Sequence, residues 1–324
     1  MEQENKTITT YKCFDKDLKC RGFQYEIGKE YELSNGEPVS VCSNGFHACE
    51  SPLEVLDYYF MDGHANLSRF CEVEQSGEFS KEVDSTKVAS SKIKIKKEIT
   101  FADLINSGVE WLKEKTSNDG GGNCTKIVSS SDDAKIASSG EYAQIGSSGD
   151  YAKIGSSGYS SQIVSSGDSS QIGSSGDCAK IGSSGDYAQI ASSGDYAKIG
   201  SSGNYAQIGS SGYSSQIGSS GDFAKIGSSG DNARIASSGD TAKIGSSGDY
   251  AQVDSTCEDS VIMCAGHNSW AKAKKGSWIT LAEWYIDEET KQMKPKYVKA
   301  EYVDGERIKE DTWYKLVDGE FIEA

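Results

Sequence analysis

The sequence predicts a mainly β protein: a nonapeptide β-solenoid with two repeats in each 18-residue coil, an α+β domain before it and a small β cap after it. Three observations predict this. An isoleucine recurs every nine residues from Ile127 to Ile244, and Val253 and Ile262 keep the register without insertion or deletion. The consensus unit Gly-Ser-Ser-Gly-Asp-Tyr-Ala-Lys/Gln-Ile is too rich in glycine and serine for a helix. Its one recurring apolar pair, Ala and Ile, is spaced two residues apart, as on one face of a strand.

Within a unit, Tyr-Ala-Lys-Ile reads as a short strand with Ala and Ile inward and Tyr and Lys/Gln outward. Ser-Ser-Gly-Asp reads as the corner, with Gly supplying a positive φ and Asp bonding the local backbone. One unit cannot fold alone. Ordering nine residues costs on the order of 9–18 kcal/mol of backbone entropy, and burying one Ile returns about 1.5–3 kcal/mol. Stacked coils joined by ladder hydrogen bonds close that gap. A coil of two units (18 residues) or of three (27 residues) fits the period; two is favoured, and about fourteen units then make about seven coils, roughly 34 Å long at ~4.8 Å per coil.

Two units per coil sort the residues before Ala by parity. One side carries Tyr151, Ser169, Tyr187, Tyr205, Phe223 and Thr241, and so a short aromatic run (Tyr187, Tyr205, Phe223) that is a candidate contact and oligomer surface. The acidic positions sort the same way. Asp150, Asp168, Asp186, Asp222 and Asp240 line one edge, and Asp177, Asp195, Asp231 and Asp249 the other.

The domains are expected at 1–116 (α+β), 117–124 (linker), 125–264 (solenoid) and 265–324 (cap). In the first, Thr7–Phe14, Gly22–Ile27, Val39–Cys42, Phe70–Glu74 and Lys92–Ile95 read as strands, and Ser51–Tyr59 as a helix. Phe101–Lys115 reads as a second helix, with Phe101, Leu104, Ile105, Val109 and Leu112 on one face and Thr100 as N-cap. In the cap, Trp278–Tyr285 reads as a strand, and the Asp-Gly pairs at 304–305 and 318–319 as hairpin turns.

The runs Cys20-Arg-Gly-Phe-Gln-Tyr-Glu-Ile-Gly-Lys29, Gly45-Phe-His-Ala-Cys49, Pro52-Leu53 and Tyr58-Tyr59 resemble an uncharacterised domain common in bacteriophage genomes, over roughly residues 8–110. The segment from GSWITLAEW to VDGEF is similar to tails of phage proteins that carry such repeats. The resemblance implies a phage origin and implies no activity.

The 324 residues carry a net charge of −16, with acidic residues in every segment. That disfavours direct binding to nucleic acid or to an anionic membrane, which both call for a basic surface. The opening MEQENKTITTYKCF lacks the basic start and apolar core of a secretory leader, and no run of 18 apolar residues occurs. A host-cytoplasmic protein with nine free thiols is expected.

Candidate chemistry is sparse. Cys13, Cys20, Cys42, His47 and Cys49 are not spaced as zinc ligands. His47 beside Cys49 has no visible third partner for nucleophilic catalysis. Calcium-binding nonapeptide rolls share the period, but here Asp follows Gly directly, and Tyr159, Asn204 and Tyr213 replace it in three units. The runs I-G-S-S and A-K-I-G are also similar to head repeats of trimeric adhesins, which repeat at a different length. The expectation is a non-enzymatic protein without cofactor or metal. It would bind and inhibit a host protein or protein–nucleic-acid complex in the manner of an anti-CRISPR or anti-restriction inhibitor, through its acidic edges as a DNA mimic, and would act as a homo-oligomer, a dimer being favoured. A structural or adhesive phage protein is the alternative, and an enzymatic N-terminal domain using His47 and Glu50 the second.

Overall fold

A computed structural model describes residues 7–33, 38–41, 43–58, 68–81, 85–115 and 122–323. The chain divides into two compact units, Met1–Glu114 and Lys115–Ala324. The expected linker falls largely outside the described residues, as do Cys42 and Tyr59.

The first unit is built from β1 (Ile8–Phe14), β2 (Lys19–Cys20), β3 (Phe23–Gln24), β4 (Glu30–Glu32), β5 (Phe46–Cys49), α1 (Val55–Tyr58), β6 (Arg69–Lys81), β7 (Lys87–Ile99) and α2 (Phe101–Lys115). Its sheet runs β4-β7-β5-β1-β6, and β7 also pairs with β6. The strands β7, β5, β1 and β6 therefore close on themselves, around Phe14, Cys71, Val73, Ile93 and Ile95. The buried Gln75 ties three strands of this ring together. It accepts from Thr10 Oγ1 at 2.9 Å and donates to the Phe46 carbonyl at 2.7 Å. Thr100 and Asp103 cap α2 reciprocally, which makes Thr100 the N-cap that its sequence implies. Phe101, Leu104 and Ile105 are buried, while the side chains of Val109 and Leu112 fall outside the described set.

Three sequence expectations shift here. The helix expected at 51–59 is a single turn, because Ser51 to Glu54 form a bend and turns. The strand expected at Val39–Cys42 is an isolated bridge between Ser40 and Asn44. The strands expected at 70–74 and 92–95 are the beginning of one arm and the middle of the other in a long hairpin whose remaining, more polar residues hide its true length.

The second unit opens with β8 (Lys126–Ser129). One four-residue strand then follows every nine residues through β23 (Val261–Cys264). Alternate strands pair in parallel, Ile145 lying between Ile127 and Ile163, so each coil holds two repeats and the solenoid has two sheets. The stacking continues past residue 264 into β24 (Trp270–Lys272) and β25 (Trp278–Ile286), giving about nine turns. Antiparallel strands β26 (Met293–Tyr302), β27 (Tyr314–Val317) and β28 (Glu320–Glu323) then extend the two sheets. No described helix is long and apolar enough to cross a membrane.

The corner is where the sequence expectation fails most instructively. The strand is Lys/Gln-Ile-Gly-Ser, and Tyr sits in the turn rather than on the strand face. The left-handed residue of each corner is this Tyr or its equivalent (φ 57° at Tyr151, Tyr187, Tyr205 and Phe223), not the glycine. A left-handed backbone costs a non-glycine residue roughly 1–2 kcal/mol. It aims the amide at the next coil, where Tyr151 N–H meets the Asp168 carbonyl at 2.8 Å. The glycine is required for closeness instead: a Cβ on Gly185 would stand 2.1 Å from the Gly167 carbonyl oxygen of the coil below.

The core is also wider than an Ala/Ile ladder. The first serine of each pair points inward, in alternation with Ala and Ile, and Ser147, Ser183 and Ser219 are fully buried. In some repeats where Ala gives way to serine the hydroxyls pair, as Ser156 with Ser161 at 2.8 Å and Ser165 with Ser170 at 2.8 Å, while Ser215 donates to the Gly212 carbonyl at 3.0 Å.

The first Asp-Gly pair of the cap is not a hairpin turn. Asp304 Oδ1 accepts from the amides of Glu306, Arg307 and Ile308, which holds a loop open between β26 and β27. The second pair is one: Asp318 (φ 49°) and Gly319 (φ 75°) link β27 directly to β28.

Candidate functional site

Two regions present organised side chains. The first is the pair of solenoid edges. On one edge the aspartates from Asp150 to Asp222 are locked to the next coil, since Asp150 Oδ1 accepts from the Asp168 amide at 2.8 Å and Asp168 Oδ1 from the Asp186 amide at 2.9 Å. Asp222 repeats the bond to Asp240 at 2.9 Å. On the other edge Asp177 holds Asp195 at 2.9 Å, and Asp231 holds Asp249 at 2.8 Å. One oxygen of each of these carboxylates is thus committed to the fold and its plane is fixed. The lysines that follow in sequence stand on the strands, as at Lys153, Lys225 and Lys243, and not in the corners.

The aromatic run lies on the first edge. Tyr187 stacks on Tyr205 at 5.0 Å and Tyr205 on Phe223 at 4.9 Å, with ring planes 4° and 8° apart. Tyr151 stands apart, with Ser169 between it and Tyr187. All four rings are exposed. On the second edge a pattern appears that the nine-residue reading misses. Tyr142 meets Tyr159, Tyr196 meets Tyr213 and Tyr250 meets His267, each edge-to-face at 5.8, 5.7 and 5.8 Å. These pairs recur every third coil, about 14 Å apart at ~4.8 Å per coil. The signal in the sequence is the run Tyr-Ser-Ser-Gln-Ile at 159–163 and again at 213–217.

The second region is a cavity of about 560 Å³ in the first unit, between β1, the β2–β3 hairpin, β4, β5, α1 and the start of β7. The quoted sequence motifs converge on it. Arg21 (φ 50°) and Gly22 (φ 80°) make the two-residue turn that sets Cys20 opposite Phe23. Gly45 (φ 132°) leads into β5, and a Cβ there would crowd Ala89 and Val39 at 3.2 Å. Leu53 packs against Gly108 of α2, where a Cβ would meet it at 2.5 Å.

One wall is aromatic. Phe23 lies edge-on to Tyr25 at 4.7 Å and to Tyr31 at 5.5 Å, and Tyr31 lies 6.5 Å from Phe46. Lys12, Arg21, His47 and Lys87 also line the space, with Glu32 as the one carboxylate among the described lining residues, and the Lys12 ammonium lies 5.8 Å from the Tyr25 ring. Lys87 Nζ sits 4.7 Å above the Tyr58 ring. Burial first, and then the Lys12, Lys87 and Arg21 cations, hold His47 below the usual imidazole range. A basic pocket in a chain of net charge −16 was not foreseen, because its cations are far apart in sequence.

No three His, Cys, Asp or Glu side chains among the described residues are grouped as metal ligands. Cys13 and Cys49 are buried, and Cys42 lies outside the described set.

Residues 8–107 match the model of a domain of unknown function, DUF7666. That span covers the pocket and all the motifs quoted from it. No curated protein and no solved structure matches the chain.

Proposed function

We propose that the protein is a non-enzymatic, phage-encoded binding protein that inhibits a host macromolecule in the host cytoplasm, in the manner of an anti-CRISPR or anti-restriction inhibitor. The observation that carries this reading is the locked acidic ladder. The carboxylates of Asp150, Asp168, Asp186 and Asp222 are already held in place by neighbouring amides, so a partner need not freeze them on binding. Preorganisation of this kind raises affinity by lowering the ordering cost. The charges repeat at about 4.8 Å along a rigid rod, which suits the basic, phosphate-reading groove of a host protein or protein–nucleic-acid complex. The resemblance of residues 8–110 to a phage domain supports the setting.

Self-association accompanies this reading. At the C-terminal end the outward Lys/Gln and Gly of the repeat give way to Val261 and Met263, which pair in register with Trp278 and Thr280. Trp278 meets Tyr302 at 5.4 Å, and Val298 is 68% exposed on the same hairpin. A continuous exposed apolar face marks a contact surface, and we assign it to a second copy of the chain.

The test is a pull-down from nuclease-treated bacterial lysate with the native chain and a variant carrying Asp168→Asn, Asp186→Asn, Asp222→Asn and Asp240→Asn. Asn204 already occupies the ladder and accepts from Asp222 at 2.9 Å, so these changes remove charge and keep the bonds that Asp168, Asp186 and Asp222 accept. A stoichiometric partner released by the variant, or by 0.5 M salt, supports the reading. A partner held equally by both forms and at both salt concentrations overturns the acidic edge as the contact. Recovery of phage structural proteins alone moves the function to virion assembly.

A further inference from the structure

We propose that the cavity of the first unit binds a small anion bearing an aromatic ring, of the nucleoside phosphate class. The proposal stands apart from the solenoid and its partner.

Lys12 is the decisive residue. It lies on β1 and is 92% buried, yet lines the cavity. Its ammonium donates to the His47 carbonyl at 2.8 Å and lies 5.5 Å from the Phe14 ring and 5.8 Å from the Tyr25 ring. Among the described residues no carboxylate lies within ion-pair distance of it. A buried charge is costly unless it is paired. One carbonyl and two ring faces offset only part of that cost. An anion in the cavity supplies the rest, and two further cations, Arg21 and Lys87, line the same space.

The aromatic wall selects the body of the ligand. Phe23 is 48% exposed although it belongs to a cluster of four rings with Tyr25, Tyr31 and Phe46. An aromatic side chain left half open beside a cavity offers a planar group a stacking surface. The volume of about 560 Å³ is in the range of small-ligand pockets. Cations and ring faces around one space are the two features that a base joined to a phosphate requires.

The geometry of the walls explains the sequence motifs. The Arg21-Gly22 turn puts a cation and Phe23 on the same short hairpin, and Gly45 lets β5 enter beside β7, bringing Phe46 and His47 to the cavity. These glycines hold the ligand-facing residues in place rather than merely terminating strands.

The experiment is calorimetry and ligand-observed NMR on the full chain, with adenosine and uridine monophosphates, the two nucleosides and inorganic phosphate as probes. The expected result is that at least one monophosphate binds tenfold or more tightly than both its nucleoside and inorganic phosphate, and that rising salt weakens it. Lys12→Met is expected to reduce that affinity at least tenfold. Lys12 is buried, so two surface variants accompany it. Arg21→Asn keeps a residue suited to the left-handed turn, and Phe23→Ala removes an exposed ring. Each is expected to weaken binding several-fold in a folded chain. No binding of any probe at millimolar concentration overturns the proposal. So does a monophosphate affinity untouched by both surface variants, and so does equal affinity for inorganic phosphate, which would leave the ring wall without a role.

Discussion

The side-chain oxygen of Asn204 accepts from the backbone amide of Asp222, one coil on, at 2.9 Å. The same bond joins Asp186 to the Asn204 amide at 2.7 Å, so Asp and Asn are interchangeable acceptors on this edge. The rows of aspartate are therefore a structural ladder first, and a charged surface second.

This separates two roles by mutation. Asp186→Asn is expected to leave stability unchanged within ~0.5 kcal/mol, whereas Asp186→Ala leaves the Asn204 amide without its acceptor and costs about 1 kcal/mol. Urea denaturation of the two variants measures this. Equal loss in both would mean that charge, not the acceptor, holds the corner.

Glycines of the repeat divide in the same way. A Cβ on Gly203 would stand 1.9 Å from the Gly185 carbonyl oxygen, and one on Gly209 meets nothing within 4 Å. Gly203→Ala is expected to lower the melting temperature by many degrees, since two coils must separate to admit the methyl group. Gly209→Ala is expected to be neutral or to stabilise by up to about 1 kcal/mol through the unfolded chain. Ala191 already occupies the equivalent place one coil earlier, paired in register with Gly209.

At the end of the solenoid Lys272 Nζ lies 2.8 Å from Asp254 Oδ2, with both groups largely buried, and 5.3 Å from the Trp313 ring. Asp254 stands where the repeat has Gly or Ala, opposite Ala236. Lys272→Met strands a buried carboxylate and is expected to cost about 3–5 kcal/mol. Adding Asp254→Gly restores the repeat consensus and is expected to recover most of that loss. A double variant no more stable than the single one would show that the pair is not the reason.

The thiols sort by burial. Desolvation pushes Cys71 and Cys264 up to about 12, while Cys124 is exposed. A thiolate is the reactive form, so a thiol reagent at pH 8 is expected to label Cys124 in the folded chain and to reach Cys71 and Cys264 only after denaturant is added. Mass spectrometry of the labelled peptides reads the order.

Self-association gives the last test. Light scattering is expected to report twice the 34.7 kDa chain mass, falling to one chain on Met263→Lys with Val298→Lys. A monomer in the native protein would remove the assigned interface.

A strict period is local information, and the sequence by itself determined everything that follows from it. The inward Ala and Ile, the nine-residue strand spacing and the α2 cap at Thr100 all rest on spacing within a few residues or on exact repetition, whereas the choice of two repeats per coil over three, and with it the sorting of Asp150 and Asp177 onto opposite edges, came from the pairing of Ile145 with Ile127 and Ile163. Only the tertiary structure decided what the corners do. Whether glycine is kept for a positive φ or for close approach depends on the carbonyl of the coil below, 18 residues away, and composition is the same in either case. The cavity in the first unit was hidden for the same reason. Lys12, Arg21, His47 and Lys87 stand on separate elements, and only the closure of β7 onto β5 and β6 gathers their charges around one space.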